Sequence, residues 1–206
     1  SEGRNQRILD LCNPEVTEYI IDSMTKVFSS ANIAYVKWDM NRIFSDYYSK
    51  YLKAQGRPQG ETAHRYVMAL GRIMRTLTER FPHILFEGCA AGGNRFDLGI
   101  LCYFPQIWAS DNTDAVSRAY IQEGLSYGYP MSTVSAHVSV CPNHQTLRVT
   151  PLSTRFNVAA FGICGYECNL VDMSRAERSE IKTQIDIYKK WRHAMQFGSF
   201  YRQRTG

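Results

Sequence analysis

The sequence predicts an α/β protein built on a parallel sheet. Short apolar runs of strand length alternate with stretches in which apolar residues recur at steps of three and four, as on one face of a helix. The connections between strands are too long for hairpins, and strands joined through a helix run parallel. About six strand–helix units fit the 206 residues. The chain is therefore either an open doubly wound sheet or the later part of an eight-unit barrel whose first two units lie upstream.

Composition narrows the possible functions. The net charge of +5 is modest, and no Lys/Arg run or aromatic–basic stripe suggests a nucleic-acid partner. No apolar run approaches the roughly 20 residues of a membrane helix. The six cysteines are scattered and no signal peptide precedes them, which predicts reduced, buried thiols in a cytoplasmic protein without a metal site. Because the chain does not begin with Met, we expect it to be cut from a longer protein.

The first half of the chain is predicted to hold three strands and two helices. Apolar runs predict strands at 8–11, 33–39 and 83–86. Asn13 and Pro14 are typical of a helix N-cap and first turn, and the apolar face of that helix is predicted as Val16, Ile20, Met24 and Val27. A second helix is expected over 61–80 with Tyr66, Leu70, Ile73 and Leu77 buried. The excursion over 40–60 is long enough to be functional or a lid.

The second half repeats this alternation. Strands are predicted at 106–109, 132–140 and 162–168, and a helix over 154–161. Thr113 is the expected N-cap of another helix, which fades at Gly124. Ser174 and Glu177 form a capping-box pattern that opens the last helix.

Reactive side chains end three successive strands. Lys37 and Asp39 end one, Glu87 and Cys89 the next, and Asp111 the third. Because side chains alternate along a strand, Lys37 and Asp39 share one face. The carboxyl ends of parallel strands are where α/β folds keep their active sites. The alternative is an ion pair that merely caps a strand.

The two aspartates have the spacing of a glycosidase pair. The strands that end at Asp39 and Asp111 are separated by one other strand, so their backbones would lie roughly 10 Å apart. The two carboxylates would then lie about 5 to 9 Å apart, a range that can flank a glycosidic bond. Lys37 and Arg42 would favour ionised Asp39, as a nucleophile requires. Asp114 would favour protonated Asp111, as a general acid requires.

Other residues allow two interpretations each. The Gly-rich turn at 88–93 lacks the Lys-Ser/Thr of a P-loop, so a tight turn that lets backbone approach a sugar is favoured over phosphate binding. Trp38 and Trp108 are expected to pack outward against helices rather than stack on sugar. His137 and His144 lack a third ligand and are expected to be ordinary hydrogen-bonded histidines. Cys89 is expected to be a small packing residue, not a nucleophile.

Three motifs carry a family resemblance. They are Tyr-Val-Lys-Trp-Asp-Met-Asn-Arg at 35–42, Cys-Ala-Ala-Gly-Gly-Asn-Arg-Phe-Asp at 89–97 and Pro-Gln-Ile-Trp-Ala-Ser-Asp-Asn-Thr-Asp at 105–114, with 137–145 and 154–162 in support. The chain resembles glycoside hydrolase family 36, chiefly α-galactosidases, over essentially its whole length. The resemblance implies a single catalytic domain over 1–206, which is the last six or so units of a partial (β/α)8 barrel without its flanking β domains.

The resemblance also implies a retaining hydrolysis of terminal α-galactosides such as melibiose and raffinose, without a cofactor or metal. Asp39 corresponds to the nucleophile and Asp111 to the acid/base. The residues expected to bind the sugar are Lys37, Asn41, Cys89, Ala91 and Gly92. The full-length protein is expected to be a homo-oligomer.

Two departures from the family pattern bear on activity. The family's turn is commonly Cys-Ser-Gly-Gly-Gly, and here Ala90 and Ala91 follow the Cys. A methyl group at 91 would crowd the sugar side, which leaves open an α-N-acetylgalactosaminidase or a galactosyl-transferring enzyme. The upstream residues that grip galactose have no counterpart here, so we expect the isolated fragment to be inactive. A non-catalytic carbohydrate-binding domain is the alternative from a different class, although a binder needs no carboxyl pair.

Overall fold

A computed structural model of the chain describes residues 5–42, 44–45 and 47–203. These residues form two compact units. The first unit runs up to Ala90 and includes Asn94–Pro105, and the second holds Ala91–Gly93 and the residues from Gln106 onward. In each unit neighbouring strands pair in parallel, as predicted. Positions 43 and 46 of the predicted 40–60 excursion lie outside the described residues.

The first unit contains two parallel strands with helices before, between and after them. Its elements are α1 (Pro14–Ser29), β1 (Tyr35–Asp39), α2 (Lys50–Ala54), a 3₁₀ turn (Gln59–Glu61), α3 (Thr62–Arg80), β2 (Leu85–Cys89) and α4 (Leu98–Leu101). The predicted excursion thus contains a short helix and a 3₁₀ turn.

Helix α1 begins as predicted but buries a different face. The Asn13 side chain accepts a hydrogen bond from the Glu15 amide, and Pro14 starts the helix. Its buried residues are Thr17, Ile21 and Phe28, one position on from the predicted stripe, and Val27 is 52% exposed. Phe28 sets this rotation because its ring packs edge-on against two other phenylalanines of the core.

The core of the first unit is a phenylalanine cluster covered by α3. Phe28 lies 5.5 Å from Phe81 and 5.7 Å from Phe86, and Phe86 stacks on Phe104 at 5.3 Å between ring centroids. Leu70, Ile73 and Leu77 of α3 are buried, which confirms most of its predicted face. This packing fixes the outward side of β2 and leaves Glu87 and Cys89 on its other side.

Two strand predictions for the first unit need correction. Residues 8–10 are irregular chain leading into a turn at Leu11 instead of a strand, so the described residues hold five strands. The reason is Asp10, whose carboxylate accepts from the Cys12 and Tyr51 amides and the Ser49 hydroxyl. Strand β1, whose apolar start at 33–36 is typical of a buried strand, instead alternates between exposed and half-buried residues.

The second unit contains three parallel strands with helical crossovers. Its elements are β3 (Gln106–Trp108), α5 (Ala115–Leu125), a 3₁₀ turn (Met131–Thr133), β4 (Val134–Ser139), α6 (Leu152–Ala159), β5 (Ile163–Glu167), a 3₁₀ turn (Leu170–Asp172) and α7 (Arg175–Phe197). Strand β4 lies between β3 and β5, with Trp108 opposite Ser135 and His137 opposite Gly165.

The core of the second unit lies between one face of β4 and the helices. Ala136 and Val138 pack with Leu152 and Phe156 of α6 and with Ile181 of α7. Because side chains alternate along β4, the residues between and beside these two point to the opposite face of the sheet.

Of the two N-caps predicted in the second unit, one is as predicted and the other lies one residue later. Asp114, rather than the predicted Thr113, is the N-cap of α5 and accepts from the Ser117 amide. An Asp side chain reaches the same donors as Thr and adds a favourable charge at the helix N terminus. The predicted capping box of Ser174 and Glu177 is present at α7.

All six cysteines lie among the described residues and none forms a disulfide there. The prediction of buried thiols holds for Cys12 and Cys89 only, because Cys141, Cys164 and Cys168 are half-buried and Cys102 is exposed. No helix in the described part of the chain is both long and apolar enough to cross a bilayer.

Candidate active site

The predicted cation and acid of β1 lie on the same side of the strand. Tyr35, Lys37 and Asp39 alternate with two less exposed residues. Next to them on β2 lies Glu87, which is only 1% exposed. The Lys37 Nζ lies 3.7 Å from a Glu87 carboxylate oxygen, and the Tyr35 hydroxyl donates to the other. Burying a carboxylate is costly unless it is paired, so Lys37 and Tyr35 stabilise Glu87 beneath Asp39.

Asp39 is the last residue of β1 and its side chain is exposed. The Asn41 side-chain amide donates to its Oδ2 oxygen and so fixes the orientation of the carboxylate. The segment after Asp39 is held in place from two sides. The Met40 amide donates to the Cys89 carbonyl at 2.9 Å, and the Arg95 guanidinium donates to the Met40 carbonyl at 2.5 Å.

A cavity of about 390 Å³ opens beside Asp39 within the first unit. Trp38, Asn41, Tyr66 and Arg95 are among its lining residues. Burial raises the pKa of the Tyr66 hydroxyl, which outweighs the lowering by Arg95. Tyr66 therefore stays protonated at neutral pH and can donate a hydrogen bond.

Asp111 follows β3 in irregular chain and is exposed. Regular strand structure ends at Trp108, so the strand alternation used to assign Asp111 a face does not reach it. The indole Nε1 of Trp108 donates to the Asp111 Oδ1 oxygen at 3.0 Å. The carboxylate is thus held by a side chain that the sequence analysis had placed on the opposite face.

Trp108 is buried, as predicted, but it does not face outward. Its ring lies 4.6 Å from that of His137, and the guanidinium of Arg118 from α5 lies over it. His137 is on the face of β4 opposite the helix-packed Ala136 and Val138. The predicted face was wrong because it was assigned by alternation with Ser110 and Asp111, and β3 ends at Trp108 before reaching them. Trp38 does contact the core ring of Phe104, at 6.1 Å.

Asp114 does not act on Asp111 in the way the sequence suggested. Asp114 is 1% exposed, and its Oδ2 accepts from the Ser117 amide and hydroxyl and from Arg148 at 2.7 Å. Its charge is compensated by Arg148 and by the N terminus of α5. It therefore does not provide the uncompensated negative neighbour that the argument for a protonated Asp111 required.

The Gly-rich turn packs against the backbone at Asp111. Ala91 and Gly92 have φ of 49° and 83°, in the left-handed region that costs a non-glycine residue about 1–2 kcal/mol. A Cβ at Gly92 would lie 2.9 Å from the Ser110 Cα and 3.2 Å from the Asp111 amide nitrogen. Only glycine permits this close approach.

The structure brings Lys37, Asp39, Asn41 and Cys89 together in the first unit and Ala91, Gly92 and Asp111 together in the second. The sequence analysis missed the roles of several residues that contact them: Tyr35, Arg95, Trp108 and Arg118. Tyr35 shares the strand parity of Lys37, which was a usable signal. Arg95 lies 55 residues from its partner Met40, and Arg118 lies six and eight residues from Asn112 and Ser110. Neither arginine shares a helix or strand with these partners, so the sequence held no periodic signal for the contacts.

The described residues contain no group of three or more His, Cys, Asp or Glu side chains that could hold a metal ion. His137 lies 3.4 Å from the Glu167 carboxylate, as expected of an ordinary hydrogen-bonded histidine. His144 is exposed.

Residues 1–198 match the sequence profile of the family described as Melibiase. The chain is 52% identical over 202 residues to alpha-galactosidase AgaA of Geobacillus stearothermophilus, which covers 98% of this chain and 27% of that protein. It is 51% identical over 205 residues to alpha-galactosidase 1 of Pediococcus pentosaceus, covering 100% of this chain and 28% of the relative. The chain thus spans little more than a quarter of these relatives.

Solved structures agree with these sequence matches. A crystal structure of a G. stearothermophilus AgaA variant in complex with raffinose matches 98% of this chain and 28% of its own, with a TM-score of 0.94 and 51% identity. The alpha-galactosidase from Lactobacillus brevis matches 100% of this chain and 27% of its own, with a TM-score of 0.95 and 45% identity. The predicted fold class, a partial (β/α)8 barrel with parallel strands, is confirmed.

We expect Gly92→Ala to lower the stability of the second unit by about 1–3 kcal/mol, because it adds a clash with the Ser110–Asp111 backbone to the cost of positive φ. Thermal unfolding of the full-length protein would measure the loss. Gly124→Ala is the matched control, since it lies in α5 and a Cβ there meets nothing within 4 Å. Equal melting temperatures for the two variants would contradict the packing described here.

Proposed function

The chain belongs to the melibiase family, within glycoside hydrolase family 36, and from this premise we propose that the protein of which it forms part is a retaining α-galactosidase. The observation that carries the proposal is the position of Asp39. It is an exposed carboxylate at the carboxyl end of a parallel strand, held by Asn41 and beside a cavity. Barrel enzymes assemble their catalytic residues at such strand ends.

We propose a double displacement with Asp39 as the nucleophile. Its carboxylate attacks the anomeric carbon of a terminal α-galactoside, the glycosidic bond breaks, and a covalent galactosyl-enzyme forms. Asp111 donates a proton to the departing oxygen in this step and takes one from water in the next. The Asn41 hydrogen bond supports Asp39's role, because it orients the carboxylate through Oδ2 and leaves Oδ1 to attack.

The remaining predicted site residues are proposed to bind the sugar. The buried Glu87 holds the Lys37 ammonium, so that it can donate to sugar hydroxyls. Asn41, Cys89, Ala91 and Gly92 complete the proposed set. Variants of one relative, AgaA, crystallised with raffinose and with stachyose support oligosaccharides of the melibiose and raffinose type as substrates. We further propose that the full-length protein acts as a cytoplasmic homo-oligomer.

Ala91 bears on which sugar the proposed enzyme accepts. Its methyl group occupies a left-handed turn position where the common family pattern has glycine, and we propose that it affects the choice of substituent at the 2-position of the sugar. An α-N-acetylgalactosaminidase and a galactosyl transferase would use the same two carboxyl groups. A non-catalytic carbohydrate binder is less favoured, since binding alone does not need Asp39 and Asp111.

Asp39→Gly in the full-length protein should lower kcat for melibiose-type substrates about a thousandfold or more, because the covalent intermediate cannot form. Galactose binding measured by calorimetry should survive. Added azide should enter the space left by the carboxylate and convert an activated α-galactoside to the β-galactosyl azide. Undiminished turnover would remove Asp39 from the nucleophile's role.

Asp111→Ala in the full-length protein should show a steep dependence on the leaving group. Hydrolysis of melibiose needs a proton donor and should fall about 10²- to 10⁴-fold. The galactosylation step with 2,4-dinitrophenyl α-galactoside should change little, because its phenolate leaves without help. Pre-steady-state release of dinitrophenolate measures this step, and equal losses on both substrates would refute the acid role.

Ala91→Gly should raise the ratio of kcat/KM for N-acetylgalactosaminide over galactoside about tenfold, the effect expected for one methyl group in a pocket. The paired aryl glycosides provide the measurement. Ala90→Gly, which leaves the methyl group at 91 in place, is the control and should not change the ratio. An unchanged ratio in both variants would exclude Ala91 from specificity at the 2-position.

A further inference from the structure

Asp111 lies beyond the last hydrogen-bonded residue of β3, yet its backbone and side chain are both held. The backbone on both sides of Asp111 is held from α5 by one side chain, that of Arg118. Arg118 is only 3% exposed. Its Nη2 donates to the Ser110 carbonyl at 2.6 Å and its Nε to the Asn112 carbonyl at 2.8 Å. The carbonyls on both sides of Asp111 are therefore fixed by a single guanidinium.

The same guanidinium also reaches the carboxylate through an aromatic ring. Its carbon lies 4.4 Å from the centroid of the Trp108 ring, within the range of a cation–π contact. The ring is 4% exposed and lies 4.6 Å from His137. Its Nε1 donates to Asp111 Oδ1 at 3.0 Å.

A third hydrogen bond anchors the assembly to the sheet. The Arg118 Nη1 donates to the Ser135 carbonyl of β4 at 3.1 Å, and Ser135 lies opposite Trp108 in the β3–β4 register. Asp111 is thus positioned by contacts with two strands and a helix of the second unit, and not by its own loop alone.

We propose that Arg118 is a positioning residue for the acid/base Asp111, acting through the flanking carbonyls and through the indole of Trp108. The inference rests on the proposed function of Asp111. With Oδ1 held by the indole, Oδ2 is the oxygen that exchanges the proton with the glycosidic oxygen and with water. A general acid displaced by about 1 Å can lose about 10²-fold in rate.

Only arginine can do this from position 118. A guanidinium presents donors in several directions of one plane and stacks on an aromatic face, whereas a lysine ammonium is a point charge with neither property. Phenylalanine at 108 would keep most of the ring packing and remove only the indole N–H. The two substitutions therefore remove different parts of the same support.

The test compares Arg118→Lys and Trp108→Phe with Asp111→Ala in the full-length protein. We expect each of the first two to lower kcat/KM for melibiose about 10- to 100-fold. The galactosylation step with 2,4-dinitrophenyl α-galactoside should change less than about threefold, because it does not depend on a placed acid. If the two residues had a merely structural role, the rates with both substrates would fall by the same factor.

Arg155→Lys is the matched control. Arg155 is also a buried arginine of the second unit that donates to carbonyls, those of Thr150 and Ser139, and neither carbonyl flanks Asp111. We expect it to show no difference between the two substrates. Should Arg118→Lys fail to fold, Arg118→Gln, which keeps neutral N–H donors without the guanidinium fork, replaces it in the comparison.

The outcomes separate the inference from the function on which it rests. If Asp111→Ala discriminates between the substrates and the Arg118 and Trp108 variants do not, the positioning role is overturned while the acid role of Asp111 stands. If Asp111→Ala itself does not discriminate, the proposed function fails and the positioning role with it. Discrimination by all three variants, and not by Arg155→Lys, supports the inference.

Discussion

The regular hydrogen bonding of the strands stops at or before each candidate carboxylate. Beyond that point, two arginines hold the backbone next to the carboxylates by hydrogen bonds. Asp39 is the last residue of β1, and Arg95 donates to the carbonyl of the next residue. Asp111 lies three residues beyond the end of β3, and Arg118 donates to the carbonyls on both sides of it. A guanidinium suits this task because its donors can bond more than one acceptor without the regular geometry of a strand. Both acids can therefore be exposed without lying on freely moving chain.

The acidic side chains at the site are of two kinds, buried ones that are ion-paired and exposed ones that are proposed to react. Glu87 is buried and engaged by Lys37 and Tyr35, and Asp114 is buried and engaged by Arg148. A buried carboxylate is stable only with such partners, so these two acids serve the structure. Asp39 and Asp111 are exposed and are held by neutral donors, an amide and an indole. A neutral donor fixes a carboxylate without fully compensating its charge, which suits a group that must attack a carbon or carry a proton.

The sequence predicted the elements well where the local signal was strong. The caps at Asn13 and Ser174 and the buried face of α3 follow from short-range hydrogen bonding and helical period. It failed where a tertiary contact overrides the local pattern. The Asp10 carboxylate turns an apolar run into a loop, and the ring of Phe28 rotates the buried face of α1. No periodicity within either segment records those partners.

For the candidate site, the motifs located the carboxylates but not their supports. Strand parity correctly grouped Lys37 with Asp39, because that strand continues through both residues. The same rule misplaced Trp108, because β3 stops there and a residue beyond a strand end is no longer bound to a face. What positions such a residue is a side chain that arrives from elsewhere, here from the first turn of the following helix. The part of an active site that lies past the strand ends is therefore the part that depends on tertiary structure, and it is also where the two candidate acids need their orientation fixed.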